Sequence, residues 1–359
     1  MRDLNIGFIG LGLIGGSIAK GIKRVYDNHR IIVYNRSENA RNEAISDGIA
    51  DTATDKVDSV FSDCDYIFLC TPVEHNITYL DILKGIIKES CIITDVGSVK
   101  GNIHRAVESK GLTRQFIGGH PMAGSEKTGY ANSSSYLLEN AYYVLTPSCE
   151  VSKERSMELY ELVKSIGAIP IILDYNTHDY AVAAISHIPH IIASSLVNLV
   201  KDNDSEDETM KILAAGGFKD ITRIASSSPD MWQQICITNS ENICELIDKY
   251  VASLLDIKKA VETIDTEYIY KLFEKSRDYR NSFSNVSRGP INKSYFLYCN
   301  IVDKSGAIST ITTILADNNI SIKNIGIIHN REFEEGVLKI DFYSHEDVTK
   351  AKELLTDYF

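Results

Sequence analysis

An α/β domain with a parallel sheet, then an all-helical domain, then a small α+β domain is the architecture this sequence predicts, and three observations carry it. Short apolar runs alternate with amphipathic stretches up to about residue 175. Strand-type runs then vanish from Thr177 to about Lys275, where apolar residues recur at helical spacing. Mixed patterning returns at Tyr295.

In the first part the strand candidates are NIGFIG, RIIVYN, DYIFLC, CIITDV and QFIGGH, with helical patterns between them, as βαβ units require. AYYVLTP and AIPIILD bracket a helix near 152–166 and complete a domain spanning 1–175. The helical domain, 176–280, contains AVAAISHIPHIIASSLVNLV and ENICELIDKYVASLLDIKKAV. Such apolar helices are hard to bury within one unit of that size, so a homodimer packed through them is expected. The polar stretch 276–294, with Gly289-Pro290, reads as a linker. The tail, 294–359, follows the order strand, helix, strand, strand, helix of a ferredoxin-like domain.

Composition bounds the chemistry. With 359 residues, 44% hydrophobic and 24% charged, the chain is an ordinary globular protein of two or three domains. Its net charge of -12 argues against nucleic acid as a partner. No apolar run reaches the roughly 18 residues of a membrane span, and MRDLNIGFIG is not built like a signal peptide, so a cytoplasmic protein without a membrane partner is expected. The seven cysteines form no CxxC pair and read as reduced, buried thiols; no metal site is expected.

Residues 6–16 read IGFIGLGLIGG, so Gly10, Gly12 and Gly15 form G-x-G-x-x-G between the first strand and the first helix. The first glycine makes the tight turn, the second lets backbone approach a pyrophosphate, and the third lets helix pack on strand; Leu13 and Ile14 start the helix whose amides face the phosphates. This is the fingerprint of a dinucleotide-binding Rossmann domain. The second strand ends in Tyr34-Asn35-Arg36-Ser37, without the carboxylate that holds the ribose hydroxyls of NAD. Arg36 and Ser37 suit a 2′-phosphate, which favours NADP, while Asn35 with a solvated Arg36 still serves NAD.

Ligands of open α/β sheets sit beyond the carboxyl ends of the strands. The residues there are Thr71-Pro72, Ser98 and His120. A hydroxyl beside an imidazole fits oxidation of an alcohol, the imidazole taking the proton as hydride leaves carbon.

DVGSVKG, GGHPMAGSE, THDYAVAAISHIPH and GGFKDITRIASSSPDMW, in this order behind the glycine fingerprint, resemble the prephenate dehydrogenase family, and the tail resembles an ACT domain. The resemblance covers essentially the whole chain. It implies NAD(P)-dependent oxidative decarboxylation of prephenate to 4-hydroxyphenylpyruvate in tyrosine biosynthesis, or of arogenate to tyrosine. His120 then accepts the proton of the ring hydroxyl, and Ser98 bonds the same hydroxyl or orients the imidazole. Arg223 grips a substrate carboxylate, with Lys219 one helical turn before it and Gly216 allowing close backbone approach. His187 contacts substrate, His190 is packed, and His178-Asp179 reads as a helix-start cap. Ser125 and Glu126 close the substrate loop, Glu126 as a gate or a partner of Arg223. The remaining histidines, 29, 75, 104, 329 and 345, read as structural or surface groups. In the tail, Asp303, Gly306, Asn324 and Ile325 match effector positions of ACT domains, with tyrosine as the implied feedback inhibitor, although Ser305 stands where that loop commonly carries proline.

Two other readings compete. A β-hydroxyacid dehydrogenase shares the Asn-Arg-Ser strand end but places a lysine where this chain has His187 and His190. A non-catalytic nucleotide and amino-acid sensor would not need Ser98, His120 and Arg223 together.

Overall fold

Strands β1 (Asn5–Ile9), β2 (Arg30–Tyr34), β3 (Thr52–Thr54), β4 (Tyr66–Leu69) and β5 (Ile92–Asp95) form a parallel sheet in the order β3-β2-β1-β4-β5, in a computed structural model that describes residues 3–124, 127–283, 295–302, 304–330 and 335–356. Helices α1 (Leu13–Val25), α2 (Glu38–Ser46), α3 (Val73–Lys84) and α4 (Gly101–Ser109) make the crossovers. Both faces of the central strands are covered, which is why these strands read as unbroken apolar runs. Phe8, Ile18, Ile22 and Phe68 pack on one face, and Ile9, Ile67, Leu80, Ile93 and Ile103 on the other. The short β3, TAT, escaped sequence reading because three residues are too few to show a period.

Beyond β5 the chain departs from an all-parallel sheet. Strands β6 (Ile117–Pro121), β7 (Tyr142–Pro147) and β8 (Ile169–Ile172) form a second group in which β6 and β7 are antiparallel and β7 and β8 parallel, with α5 (Lys153–Ser165) between the last two. No crossover helix is found between β6 and β7 among the described residues, and a parallel pair needs one. A bridge between Ile93 and Phe116 ties β6 to β5, so the ends of both strands meet.

Helices then follow without strands, as expected: α6 (Tyr175–Val182), α7 (Ile188–Asn203), α8 (Thr209–Leu213), α9 (Gly216–Thr222), α10 (Pro229–Thr238), α11 (Ser240–Glu262) and α12 (Thr266–Ser282). Asp174 caps α6, accepting the amides of Asn176 and Thr177, so the cap lies four residues before His178 and not at His178-Asp179. α6 and α7 are joined by a π-helical turn, Ala183–His187, into one helix of 29 residues. Pro189 removes an amide there, and the wider turn accommodates it. With a mean hydropathy of 1.4 over its most apolar window, this helix is long and apolar enough to cross a membrane by length and composition alone, but His178, Asp179, His187 and His190 interrupt it, so it is not an unbroken apolar run. Ala183 and Ile188 pack with Ile243 of α11, whereas Ile185 (67% exposed), Leu199, Ile221 and Ile237 lie open. α12 runs to Ser282, so residues 276–282 are helical and not linker; Arg and Glu side chains on successive turns support it, as in the contact of Arg277 with Glu274.

In the tail, β9 (Tyr295–Val302), β10 (Ile322–Asn330) and β11 (Glu335–Phe342) form an antiparallel sheet in the order β10-β11-β9, with α13 (Ala307–Asp317) and α14 (His345–Leu354) packed on one face through Ile311, Leu315, Ala351 and Leu355. By compactness the chain divides into Met1–Leu255 and Asp256–Phe359. The cysteines are all free, but only Cys64, Cys91 and Cys299 are buried; Cys149 and Cys244 are exposed.

Candidate active site

The glycine loop lies at the carboxyl end of β1, and each glycine has its own physical reason. Gly10 has φ +92°, and a Cβ on it would sit 2.7 Å from the Thr71 side chain; a Cβ on Gly15 would sit 2.7 Å from the Gly10 carbonyl oxygen. A Cβ on Gly12 would meet nothing within 4 Å, because that position opens into a cleft. The cleft, about 430 Å³, is lined by Gly10, Gly12, Asn35, Arg36, Ser37, Thr71, Pro72, His75 and Tyr79. No side chain caps the start of α1 and no acidic residue occupies its first turn, so the amides that begin at Leu13 and Ile14 are open to an anion. A dinucleotide fits this donor set.

The rim of the cleft is preorganised. Asn35 donates from Nδ2 to the Leu11 carbonyl (3.0 Å) and accepts the Ser37 amide on Oδ1 (3.2 Å), tying the end of β2 to the glycine loop. Ser37 caps α2 through the Ala40 amide. Arg36 is exposed, and Arg41 donates to the Asn35 and Arg36 carbonyls. Thr71 donates to the buried Asn76. His75, read from the sequence as structural, lines the same cleft.

His120 stands near the end of β6, one residue beyond Gly119, whose close approach to β5 admits no side chain: a Cβ there would lie 2.5 Å from the Asp95 carbonyl oxygen. Beneath it is a buried ion pair of Lys100 with Asp95. Lys100 Nζ also donates to the Gly119 carbonyl at 2.7 Å, and Asp95 accepts the amides of Gly97 (2.9 Å) and Gly119 (3.1 Å). The pair thus clamps β5, β6 and the turn that carries Ser98, which is half-buried between β5 and α4.

Sequence reasoning did not find the side chain that meets His120. His120 Nδ1 lies 2.8 Å from His178 Nε2, and His178 Nδ1 lies 2.8 Å from Asp179 Oδ1. Asp179 also accepts the amides of Lys100 (2.8 Å) and Gly101 (2.7 Å) at the start of α4. The signal was present in the pair His178-Asp179, but 58 residues separate the two histidines. Burial pushes the His120 imidazole well below its ordinary basicity, and His178, Lys100 and His187 act in the same direction.

His187, in the π-helical turn, is buried; Asn239 donates to its Nδ1 (3.2 Å) and to the Asp179 carbonyl (2.8 Å). Burial, the larger effect, lowers the His187 pKa to about 4. His190 stacks on Trp232 at 3.8 Å and donates to the Ser186 carbonyl, a packed residue as expected. His104, read from the sequence as a structural or surface group, is buried against Thr146, Ser148 and Tyr175.

The other candidates are placed as follows. Gly216 and Lys219 are exposed on α9, with open space around Gly216, and Arg223 is exposed on a 3₁₀ turn that packs with α9 against α7. Ser125 and Glu126 fall outside the described residues, as does Asp303 in the tail. Gly306 begins α13 in a left-handed conformation, while Asn324 and Ile325 stand on β10, where Asn324 faces Asp341 beside a register shift.

Comparison with known proteins extends this picture. Residues 18–172 match the family described as prephenate dehydrogenase, nucleotide-binding domain, and residues 174–275 match prephenate dehydrogenase, dimerization domain. The prephenate dehydrogenase of Bacillus subtilis (strain 168) is 39% identical over 357 residues, 99% of this chain and 96% of that protein. Among solved structures, the A. aeolicus prephenate dehydrogenase in complex with hydroxyphenyl propionate and NAD+ superimposes with a TM-score of 0.74 at 30% identity, covering 79% of this chain and 99% of that one. The arogenate dehydrogenase of Synechocystis gives 0.72 at 27%, covering 78% and 100%.

Proposed function

This chain belongs to the prephenate dehydrogenase family, and from that premise we propose that it converts prephenate to 4-hydroxyphenylpyruvate with reduction of NAD(P)+ and loss of carbon dioxide. The observation that carries the reading is an imidazole at the end of β6, 2.8 Å from His178, which in turn meets the Asp179 carboxylate at 2.8 Å. Bound NAD(P)+ supplies the hydride acceptor. His120 Nε2 takes the proton of the ring hydroxyl, Ser98 bonds that oxygen, and the forming carbonyl lets the ring carboxylate leave as the ring becomes aromatic. Because burial disfavours its charged form, His120 stays available as a base at and below pH 6.5.

Substrate carboxylates need cations, and we assign Arg223 as the two-point grip, and Lys219, Gly216, His187, Ser125 and Glu126 as further substrate-binding residues. For the cofactor we assign Gly10, Gly12, Leu13, Ile14, Gly15, Asn35, Arg36, Ser37, Thr71 and Pro72. Arg36 at the cleft, without a carboxylate at the end of β2, favours NADP over NAD. The domains are 1–175, 176–280 and 294–359. Apolar side chains left open on α7, α9 and α10 support a homodimer through the helical domain, and the cytoplasm is the compartment we assign.

The tail is read as an ACT domain. Its sheet order, with the third strand between the first and the second, is that of the ferredoxin-like fold. Tyrosine is the effector this suggests, at Asp303, Gly306, Asn324 and Ile325. The test is formation of reduced nicotinamide by the purified protein, with prephenate and arogenate each offered with NAD and NADP, with and without tyrosine. Activity only with arogenate would replace the substrate; silence in all four pairings would sink the dehydrogenase reading.

A further inference from the structure

We propose that His178, held by Asp179, is the positioning residue that fixes the tautomer of His120 and leaves Nε2 as its free, proton-accepting atom. The inference rests on the reading of His120 as the base, and follows from counting donors. The Asp179 carboxylate only accepts, so His178 Nδ1, 2.8 Å from Oδ1, carries a hydrogen. With one proton on each ring, His178 Nε2 then offers a lone pair, and His120 Nδ1, 2.8 Å away, must carry the hydrogen between them. The lone pair of His120 is thereby placed on Nε2.

Two features make this direction persistent. Asp179 is anchored by the Lys100 and Gly101 amides at the start of α4, which bind a carboxylate better than a carboxylic acid. Asn239 grips the Asp179 carbonyl, so the segment that bears both His178 and Asp179 is fixed from the side of α10 as well. Among the described residues, His178, Lys100 and His187 act on His120, and Asp95 and Asp179 act on Lys100 in turn.

During turnover the substrate hydroxyl proton arrives at His120 Nε2 and no other covalent bond in the relay changes. The resulting imidazolium still donates from Nδ1 to His178, now as a charge-assisted bond, and the Asp179 carboxylate behind His178 compensates the new charge. Loss of the acceptor would let the neutral ring carry its hydrogen on Nε2, where it cannot act as a base.

The experiment compares His178→Leu, His178→Gln and His120→Asn in steady-state kinetics with prephenate, alongside cofactor binding and thermal melts. His178→Leu is expected to lower kcat by about 10²–10⁴ while KM and cofactor affinity stay within about threefold. The Gln side chain can accept from His120 and donate to Asp179 at once, so His178→Gln should recover at least about tenfold over Leu. The proposal is overturned if His178→Leu keeps kcat within about threefold of the parent, if Leu and Gln are equally impaired, or if the loss falls on KM or cofactor affinity. Retained turnover in His120→Asn would instead overturn the base itself. Lost turnover there with normal turnover in His178→Leu would remove the positioning role alone.

Discussion

Replacing Lys100 with methionine should destabilise the nucleotide-binding half severely, and the size of the effect can be worked from its neighbours. The ammonium and the Asp95 carboxylate are both buried, 0% and 1% exposed at their side chains. Burial alone drives the Lys100 pKa down, and Asp95 is the main offset. In Lys100→Met the carboxylate keeps the Gly97 and Gly119 amides but loses its countercharge, and the Gly119 carbonyl loses the donor at 2.7 Å. Breaking one side of a buried ion pair costs about 3–5 kcal/mol. At about 2–4 °C per kcal/mol for a domain of this size, Tm should fall by roughly 6–20 °C. The double variant Asp95→Asn/Lys100→Met removes the stranded charge and should recover at least about half of the loss. Thermal and urea melts followed by circular dichroism measure both. A single variant within about 1 kcal/mol of the parent, or a double variant no better than the single, would refute the argument that the unpaired Asp95 charge is what costs.

Four further outcomes are expected. His120→Asn should reduce kcat by about 10²–10⁴ with cofactor affinity unchanged, and a loss under about tenfold would remove it as the base. Arg223→Ala should raise the KM for prephenate with little change in kcat, since a carboxylate grip acts in ground and transition states alike; the opposite pattern in steady-state kinetics counts against the grip. Arg36→Ala should weaken NADP binding by more than about tenfold and NAD binding far less; equal effects in a titration of both cofactors would end the preference for NADP. His104 and His187 are each lowered from 6.5 to about 4 by burial, so the unfolded chain takes up protons first as pH falls. Their contribution to stability is full above pH 6.5 and is lost between 6.5 and about 4, which a series of melts across that range would show as a falling Tm; a flat series contradicts it.

Local chemistry made the nucleotide-binding end legible. The glycine spacing, the strand before it and the helix after it are contiguous, and Gly10 and Gly15 fold as their neighbours dictate. The end of β2 was equally readable, because Asn35 accepts the Ser37 amide and Ser37 the Ala40 amide, each only a few residues away. What the sequence hid is contact made across chain distance. His120 was singled out by its position after a strand, but its partner belongs to a helix 58 residues later. Lys100 looked like the end of a loop motif, and only the approach of β6 to β5 turns it into a buried clamp. β3 and the antiparallel turn of β6 were missed for a related reason: each depends on what its neighbours leave open rather than on its own period. The helix-start reading of His178 failed because Asp174, a better cap, stands four residues earlier.

The hydrogen bond from β6 to α6 also bears on how such a chain can be cut and recombined. A fragment ending after β8 would keep the glycine loop, the cleft and His120 itself, so it should still dock a nucleotide. It would lack His178, Asp179 and Asn239, all of which lie beyond that point. Nucleotide recognition is therefore portable, whereas a correctly oriented base is not: grafting this front half onto a foreign helical partner would transplant affinity for the cofactor while leaving the imidazole without the tether that orients it.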